Sequence, residues 1–314
     1  MPFSPESLKP AGPAFPIAEN ARFPSVARDG TLAYVDFSGA QRQLAWMDRR
    51  GKRLAFIGQP QQAMGSPALS PDDRRVAVSG MEQTNLDIWV HEVERPLKTR
   101  LTFRPEVDTF PKWFPSGKEI AFSASRDRQF DGMSLPADGT GEPQALIATP
   151  QSEFPGSWSP DGNYLAYTVQ NPETGNDLWY LRRKPAGGFD AVPFLRTPFA
   201  ERAPRVSPDG RFLAYASDET GRDEVFVRPF PEGDGKWLVS GNGGAQPLWG
   251  RNGKELFYVE DDMLMAAAVS TSGRFTVTSV RSLFRHPSFR EPIAGSYDVS
   301  ADGQRIVVVE TLDG

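Results

Sequence analysis

Residues 207–215 read Ser-Pro-Asp-Gly-Arg-Phe-Leu-Ala-Tyr, and residues 159–167 read Ser-Pro-Asp-Gly-Asn-Tyr-Leu-Ala-Tyr. In both, Pro, Asp and Gly favour a tight turn, and a short apolar strand follows it. Weaker copies bring the number of turns to seven, with third turn residues at Gly30, Asp73, Gly117, Gly162, Gly210, Gly253 and Gly303. The steps between them are 43, 44, 45, 48, 43 and 50 residues. This spacing is typical of β-propeller blades.

Each repeat divides into four short strands separated by turn signals, and no window shows a sustained helical period. The sequence therefore predicts an all-β fold with almost no helix. We expect a single seven-bladed β-propeller of four-stranded antiparallel blades over residues 1–314. The predicted blades span approximately 23–58, 66–103, 109–149, 153–197, 202–240, 245–286, and 295–311 completed by 1–19.

The last repeat is short, because the sequence given stops at Gly314 after only two strands. The run Ala14-Phe15-Pro16-Ile17-Ala18 precedes the first repeat as an outer strand would. We expect the N-terminal strand, residues 13–19, to close the last blade. A ring closed in this way leaves no unpaired sheet edge and predicts a monomer.

The composition of the chain excludes several classes of function. The 314 residues carry 35 Lys+Arg against 40 Asp+Glu, a net charge of −5, and no cysteine. Disulfides, thiol catalysis and Cys-ligated metals are therefore excluded. No long basic run suggests nucleic-acid binding. No apolar run approaches the ~20 residues of a membrane span, and the first residues do not read as a signal peptide, so we expect no membrane insertion of this segment.

The turn, with an aromatic residue such as Trp158 just before it, resembles the TolB-type or WD-like propeller repeat over essentially the whole chain. The stretches 177–179, 217–225 and 227–231 look like the propeller that follows the membrane segment in many bacterial serine/threonine protein kinases. That resemblance implies a sensor domain and an extracytoplasmic location. The kinase itself is absent from this sequence, which has no Gly-rich loop, His-Arg-Asp or Asp-Phe-Gly motif.

Enzymatic motifs are missing as well. The sequence contains neither a Gly-x-Ser-x-Gly elbow nor a Gly-x-x-x-x-Gly-Lys-(Ser/Thr) phosphate loop. Its two histidines, His91 and His286, lie in different repeats, whereas sugar lyases with similar repeats need a histidine-rich metal centre. We expect a protein that is not an enzyme and that uses no cofactor and no metal.

Two sets of repeated residues have both a structural and a functional interpretation. The turn acids are either caps for their own backbone or a ring of metal ligands, and we predict caps, since separated blades cannot converge on one ion. The aromatics of the innermost strands are either packing between blades or a stacking platform, and we predict packing. The two sets are Asp72, Asp161, Asp209 and Asp302, and Trp113, Trp158, Trp249 and Tyr297.

The remaining candidates lie on loops. In a propeller, the loops that lead into the innermost strands share one face with the loops that join the second and third strands, and loops commonly carry function. These loops mix acids, arginines and phenylalanines, as a site for a peptide, a protein or a small polar ligand would; the alternative is plain solvated loops. The candidate residues are Asp108, Phe110, Arg126, Arg128, Glu153, Phe154, Glu201, Arg202, Asp218, Gln246 and Tyr297.

The sequence thus favours a non-enzymatic binding or sensing module that uses one mouth of the propeller channel. Two alternatives stay open. One is a TolB-like scaffold of the cell envelope. The other is the accessory propeller of a hydrolase whose catalytic domain is not in this sequence.

Overall fold

The computed structural model describes residues 41–82, 85–127, 129–147, 149–290 and 295–312 in full. Before residue 41 it describes only the backbone of four short strands, which form two antiparallel pairs. These pairs are Phe3–Ser4 with Lys9–Pro10, and Ala21–Val26 with Leu32–Asp36. They belong to one compact unit, Met1–Gln41 with Leu312–Gly314, and a second unit comprises Arg42–Thr311.

The second unit consists of four-stranded antiparallel blades, four of which are separate sheets. Each sheet is a simple meander, so strands adjacent in sequence are also adjacent in space. Blade 2 contains Asp108–Trp113, Glu119–Arg126, Gln129–Pro136 and Gln144–Ile147; blade 3 contains Ser152–Trp158, Tyr164–Asn171, Gly175–Arg183 and Phe189–Leu195. Blade 4 contains Glu201–Val206, Phe212–Ser217, Glu224–Pro229 and Trp237–Leu238; blade 5 contains Ala245–Trp249, Glu255–Glu260, Met263–Ser270 and Thr276–Arg285.

The remaining strands form one seven-stranded sheet that comprises two blades. Its order is Tyr297–Val299, Arg305–Thr311, Gln41–Asp48, Arg53–Leu69, Arg75–Glu82, Asn85–Glu92 and Lys98–Arg100. The long strand Arg53–Leu69 adjoins Gln41–Asp48 on one side, and its second half, from Gln62 to Leu69, pairs with Arg75–Glu82. It is therefore the outer strand of blade 6 and then the innermost strand of blade 1. Blade 6 also contains Tyr297–Val299, Arg305–Thr311 and Gln41–Asp48, and blade 1 also contains Arg75–Glu82, Asn85–Glu92 and Lys98–Arg100.

Buried apolar clusters join these six blades of the described chain into a ring. Blades 1 and 2, 2 and 3, 3 and 4, and 4 and 5 each share one cluster. Phe257 of blade 5 packs in one cluster with Val308 of blade 6. Leu44 of blade 6 packs in another with Val76 of blade 1. Every blade thus buries both faces, which is how a propeller gains most of its stability.

The structure corrects the predicted closure. Both edges of Arg305–Thr311 are occupied, one by Tyr297–Val299 and the other by Gln41–Asp48, so the next strand of the last blade is Gln41–Asp48. The physical reason is burial: Leu44 and Trp46 are almost fully enclosed when they extend the last blade. Residues 13–19 themselves lie outside the described part of the chain.

The predicted first blade, 23–58, is wrong for the same reason. Its second half, residues 41–58, extends blade 6, while Leu32–Asp36 pairs with Ala21–Val26 in the first unit. Seven blades are therefore not confirmed: residues 41–312 contain six. The turn at residues 28–30 that suggested a seventh lies outside the described residues.

The turn acids act as predicted. Asp72, Asp161, Asp209 and Asp302 each accept a hydrogen bond at 2.5 Å from the Ser hydroxyl two positions earlier. Each also accepts one from the backbone N–H two positions later, at 3.0–3.2 Å. The hydrogen bond from Ser300 is the main reason that the pKa of Asp302 is lowered. These bonds confirm that the repeated phrase is turn chemistry.

The predicted packing role of the inner aromatics is also confirmed. Trp113, Trp158, Trp249 and Tyr297 are all buried. Three of them donate to a backbone carbonyl of the preceding blade: Trp113 to Ala68 at 2.8 Å, Trp249 to Arg205 and Tyr297 to Gln246 at 2.9 Å. They hold neighbouring innermost strands together. The predicted scarcity of helix is confirmed too, since the described residues contain a single 3₁₀ turn, Pro287–Arg290.

Candidate ligand-binding site

One equivalent position in every blade lines the central channel. It is the residue just before the last residue of the innermost strand, and in blades 1 to 6 it is Ala68, Lys112, Ser157, Arg205, Leu248 and Asp298. All six line a cavity of about 430 Å³, together with residues of the Ser-Pro turns such as Pro71 and Pro160. This cavity is the turn-side mouth of the channel.

A second cavity, of about 400 Å³, lies on the other side of Lys112, Gly156 and Arg205, which line both. Its walls come from the innermost strands of blades 2, 3 and 4, and from the second and third strands of blade 3. The other lining residues are Phe110, Phe154, Pro155, Thr168, Gln170, Asn176, Arg202, Ala203 and Pro204. We call it the loop-side cavity.

Backbone bulges shape this mouth. Phe110 and Ala203 have φ values of +56° and +53°, each stands before a proline, and each lies at a register shift of its innermost strand. Ser66 and Gln246 repeat the arrangement in blades 1 and 5. A bulge re-aims the side chains around it and is common beside binding sites. Here it places the Phe110 side chain in the cavity wall.

The structure brings three of the predicted residues together in the loop-side cavity: Phe110, Phe154 and Arg202. The two phenylalanine rings meet edge to face with centroids 5.7 Å apart. The Arg202 guanidinium forms ion pairs with Asp223 at 3.1 Å and with Asp218 at 3.7 Å. Apolar rings beside a guanidinium suit a ligand with both an apolar and a polar end.

Three predicted acids are buried instead at the joints between blades. Asp108, Glu153 and Glu201 are no more than 2% exposed, and each stands near the start of an innermost strand. Glu153 accepts from the backbone N–H of Thr149 at 3.0 Å, and Glu201 accepts from the Thr197 hydroxyl. Burial raises the pKa of Asp108 and of Glu201 to about 7. These carboxyl groups do not line the loop-side cavity.

Of the other predicted residues, Arg126, Asp218, Gln246 and Tyr297 also lie outside that cavity. Arg126 pairs with Asp131 at 3.2 Å on the exposed edge of blade 2. The Gln246 amide oxygen accepts from the backbone and the hydroxyl of Ser296, both at 2.8 Å, close to the buried Tyr297. Arg128 lies outside the described residues. The predicted ligand-binding site stays a prediction.

The sequence reasoning missed two cations inside the channel. Lys112 is only 9% exposed, and its burial lowers its pKa to about 7. Burial likewise lowers the pKa of Arg205, whose Nη1 donates to the Gly156 carbonyl at 2.7 Å while its Nε has no hydrogen-bond partner in the described chain. Aligning the repeats at their inner strands could have found them, because basic residues stand where blades 1 and 5 have Ala68 and Leu248.

Asp298 is the one acid among the six channel positions, and its oxygens are already engaged. Its Oδ2 accepts from the Leu69 backbone N–H at 2.8 Å, and its Oδ1 from that of Val299 at 2.7 Å. It nevertheless raises the pKa values of Lys112 and Arg205. Among the described residues, no group of three or more His, Asp or Glu side chains could hold a metal ion.

Comparison with known sequences identifies the repeat. Residues 19–182, more than half of the chain, match the TolB beta propeller domain family. A segment of 86 residues is 30% identical to the Tol-Pal system protein TolB of Alcanivorax borkumensis, covering 27% of this chain and 20% of that protein. A segment of 191 residues is 26% identical to the uncharacterized peptidase YuxL of Bacillus subtilis, covering 55% of this chain and 28% of that protein. The matches thus span less than a third of these relatives.

Solved structures share the fold. A putative TolB from Agrobacterium tumefaciens superposes with a TM-score of 0.68 at 15% identity, over 87% of this chain and 99% of that one. An oligogalacturonate lyase in complex with manganese superposes with a TM-score of 0.54 at 13% identity, over 84% of this chain and 77% of that one. At these identities the likeness shows the propeller fold alone. No helix of the described residues is long and apolar enough to cross a membrane.

Proposed function

Because the chain belongs to the TolB beta propeller domain family, we propose that it is a non-enzymatic binding module that uses the loop-side mouth of its channel. The observation that carries the proposal is the loop-side cavity, with Phe110, Phe154 and Arg202 in its wall. Its volume of about 400 Å³ lies within the range of pockets that hold small ligands or a few peptide residues. Its described lining combines aromatic rings and prolines with a few cationic and polar side chains, a composition typical of binding pockets.

Selection of short peptides from a random displayed library on the immobilised protein tests this function. We expect the enriched peptides to bind the wild type and the Arg251→Ala variant, whose substitution lies at the turn-side mouth. We expect them to lose binding to a Phe110→Ala/Phe154→Ala variant that keeps the wild-type circular dichroism spectrum. Binding that survives the phenylalanine substitutions, or a library that yields no enriched peptide, contradicts the proposal.

Two alternative functions have specific support. The matches to TolB proteins favour an extracytoplasmic scaffold of the cell envelope. The match to a peptidase over 55% of this chain favours the accessory propeller of a hydrolase. The gene in its full length separates these from the receptor-kinase sensor: a signal peptide supports the scaffold, a downstream hydrolase domain the accessory propeller, and an upstream kinase with a membrane helix the sensor.

A further inference from the structure

We propose that the loop-side cavity holds a subsite for a carboxylate, which takes a ligand that carries one carboxylate next to an apolar group. The proposal rests on the function proposed above and names the chemistry of its ligand. It starts from the unusual state of Lys112, an amino group buried in the channel wall with no hydrogen-bond or ion-pair partner in the described chain.

Lys112 has no hydrogen-bond or ion-pair partner in the described chain. It is more than nine-tenths buried, and it lines both cavities. Within the described chain, no oxygen atom forms a hydrogen bond or an ion pair with its Nζ. A Cβ built on Gly295 would lie 3.8 Å from that Nζ, so Gly295 stands beside the amino group and offers it no side chain. Burying a charge without a partner is costly, so the binding of an anion beside Lys112 would be favoured by the charge that it compensates.

Two guanidinium groups reinforce this positive region. The Nε atoms of Arg202 and Arg205 are both buried without a hydrogen-bond partner in the described chain. Both side chains line the same cavity as Lys112. Three cations from blades 2 and 4 therefore border one space.

The charge balance favours a monoanion. Asp218 and Asp223 neutralise Arg202 through ion pairs at 3.7 and 3.1 Å. Asp298 partly balances Lys112 and Arg205, although backbone N–H groups occupy its oxygens. The region around Lys112 and Arg205 thus keeps an excess of about one positive charge, which suits a carboxylate better than a phosphate dianion.

The apolar half of the ligand follows from the other walls. Phe110 and Phe154 form the edge-to-face pair described above, and Phe154 packs in turn against Phe130 with ring centroids 5.5 Å apart. Pro155 and Pro204 complete this apolar side of the cavity. An aromatic or aliphatic group that is bonded to the carboxylate carbon through a short linker would meet these rings while the carboxylate meets Lys112.

Isothermal titration calorimetry with matched acids and amides tests the subsite in two arms. The small-molecule arm compares 3-phenylpropionate with 3-phenylpropanamide, and the peptide arm compares Gly-Gly-Phe with its C-terminal amide. We expect the acid of at least one arm to bind and its amide to bind at least about tenfold more weakly. The arm that responds identifies a free acid or a peptide terminus as the source of the carboxylate.

Substitutions at the two mouths test whether the carboxylate binds beside Lys112. We expect Lys112→Met to weaken the acid about tenfold or more, and to leave the amide unchanged. Arg251→Met, at the turn-side mouth, is the matched control and should not alter the affinity for the acid. The acid should also bind more tightly at pH 6 than at pH 8, because burial and the nearby Arg205 hold the pKa of Lys112 near 7, against the opposing effect of Asp298.

Three results would overturn the subsite: acids that bind no better than amides, an affinity for the acid that Lys112→Met leaves intact, or no binding of any probe at concentrations on the order of 10 mM. None of them removes the proposed function if selected peptides still bind through Phe110 and Phe154. Peptide binding that survives the Phe110→Ala/Phe154→Ala substitutions would instead count against the proposed function.

Discussion

The arginines at the two mouths of the channel differ in how completely their hydrogen-bond donors are paired. At the turn-side mouth, Arg251 donates to the carbonyls of Pro71 and Ser70 at 2.7 and 3.0 Å and pairs with Asp73 at 3.0 Å. At the loop-side mouth, the Nε of Arg202 is buried without a hydrogen-bond partner in the described chain. An arginine whose donors are paired stabilises the ring, whereas one that leaves a buried donor unpaired contributes less to stability and keeps donor capacity that a ligand can use.

Gly156 separates the two mouths, and its replacement should have the largest effect. A Cβ at this position would lie 2.5 Å from the Pro204 carbonyl oxygen and 2.7 Å from the Pro204 Cγ. Gly156→Ala should therefore force blades 3 and 4 apart and lower the free energy of unfolding by about 3 kcal/mol. Chemical denaturation measures the loss. Gly241→Ala is the control, because a Cβ there meets nothing within 4 Å, and an equal loss in both variants would refute the explanation.

Removing the buried ammonium group should stabilise the fold. Lys112→Met keeps the approximate volume and should raise the free energy of unfolding at pH 7 by on the order of 2 kcal/mol. The folded pKa of Lys112, about 7, lies below the ordinary 10.5, so the wild type regains this stability as the pH rises from 7 towards 10.5. The stability gained by Lys112→Met relative to the wild type should therefore be smaller at pH 10 than at pH 7. Denaturation at pH 7 and pH 10 measures it, with the exposed Lys118→Met as control; a destabilised Lys112→Met would show that the charge is already compensated.

The buried carboxyls behind the loop-side mouth should respond to pH in the opposite direction. Glu201 has a folded pKa of about 7 against an ordinary 4.5, so its contribution to stability is complete below pH 4.5 and is lost as the pH rises through 7. Glu201→Gln should therefore stabilise the protein by about 1–2 kcal/mol at pH 8 and by little at pH 4. Thermal unfolding at both values tests this prediction. Glu119→Gln, on the surface, should show no such difference, and a Glu201→Gln gain that is independent of pH would contradict it.

We expect the smallest changes in the free energy of unfolding from substitutions of two arginines, one at each mouth. Arg251→Ala should lower the free energy of unfolding by about 1 kcal/mol, because two carbonyls and a carboxylate lose their donor. Arg202→Ala should change it by less than about 0.5 kcal/mol, because its ion pairs are half-exposed. Denaturant midpoints of the two variants test this order. A larger loss of stability in Arg202→Ala than in Arg251→Ala would contradict the difference proposed between the two arginines.

The sequence predicted the features that repeat. The turn acids and inner aromatics bond to their own blade or its neighbour, so their roles could be inferred from the period alone. The closure could not be predicted, because strand pairing between residues 41–48 and 305–311 depends on burial that no local pattern reveals. Lys112 and Arg205 were missed because their position is defined by strand register, and each breaks the pattern of its repeat. The candidate acids were misplaced on the mouth because a single residue along a strand changes the face on which a side chain lies.

Both mouths exist only if the ring closes between Arg305–Thr311 and Gln41–Asp48. Arg42 lies opposite Thr311, and the next pair outward is hydrogen-bonded, Leu312 N–H to the Gln41 carbonyl at 2.7 Å. Arg42 and Thr311 are therefore a non-hydrogen-bonded pair, whose Cα atoms lie about 4.5 Å apart, within reach of a disulfide.

Oxidation of an Arg42→Cys/Thr311→Cys variant tests the closure most directly, since the chain has no other cysteine. We predict an intramolecular disulfide, seen as a mass loss of about 2 Da and faster migration on a non-reducing gel. An Arg50→Cys/Thr311→Cys variant, with its cysteines at opposite ends of the paired strands, should remain reduced. Two results together would contradict the six-bladed ring. They are free thiols in the Arg42→Cys/Thr311→Cys variant and a disulfide in an Ile17→Cys/Thr311→Cys variant, and they would support closure by the N-terminal strand.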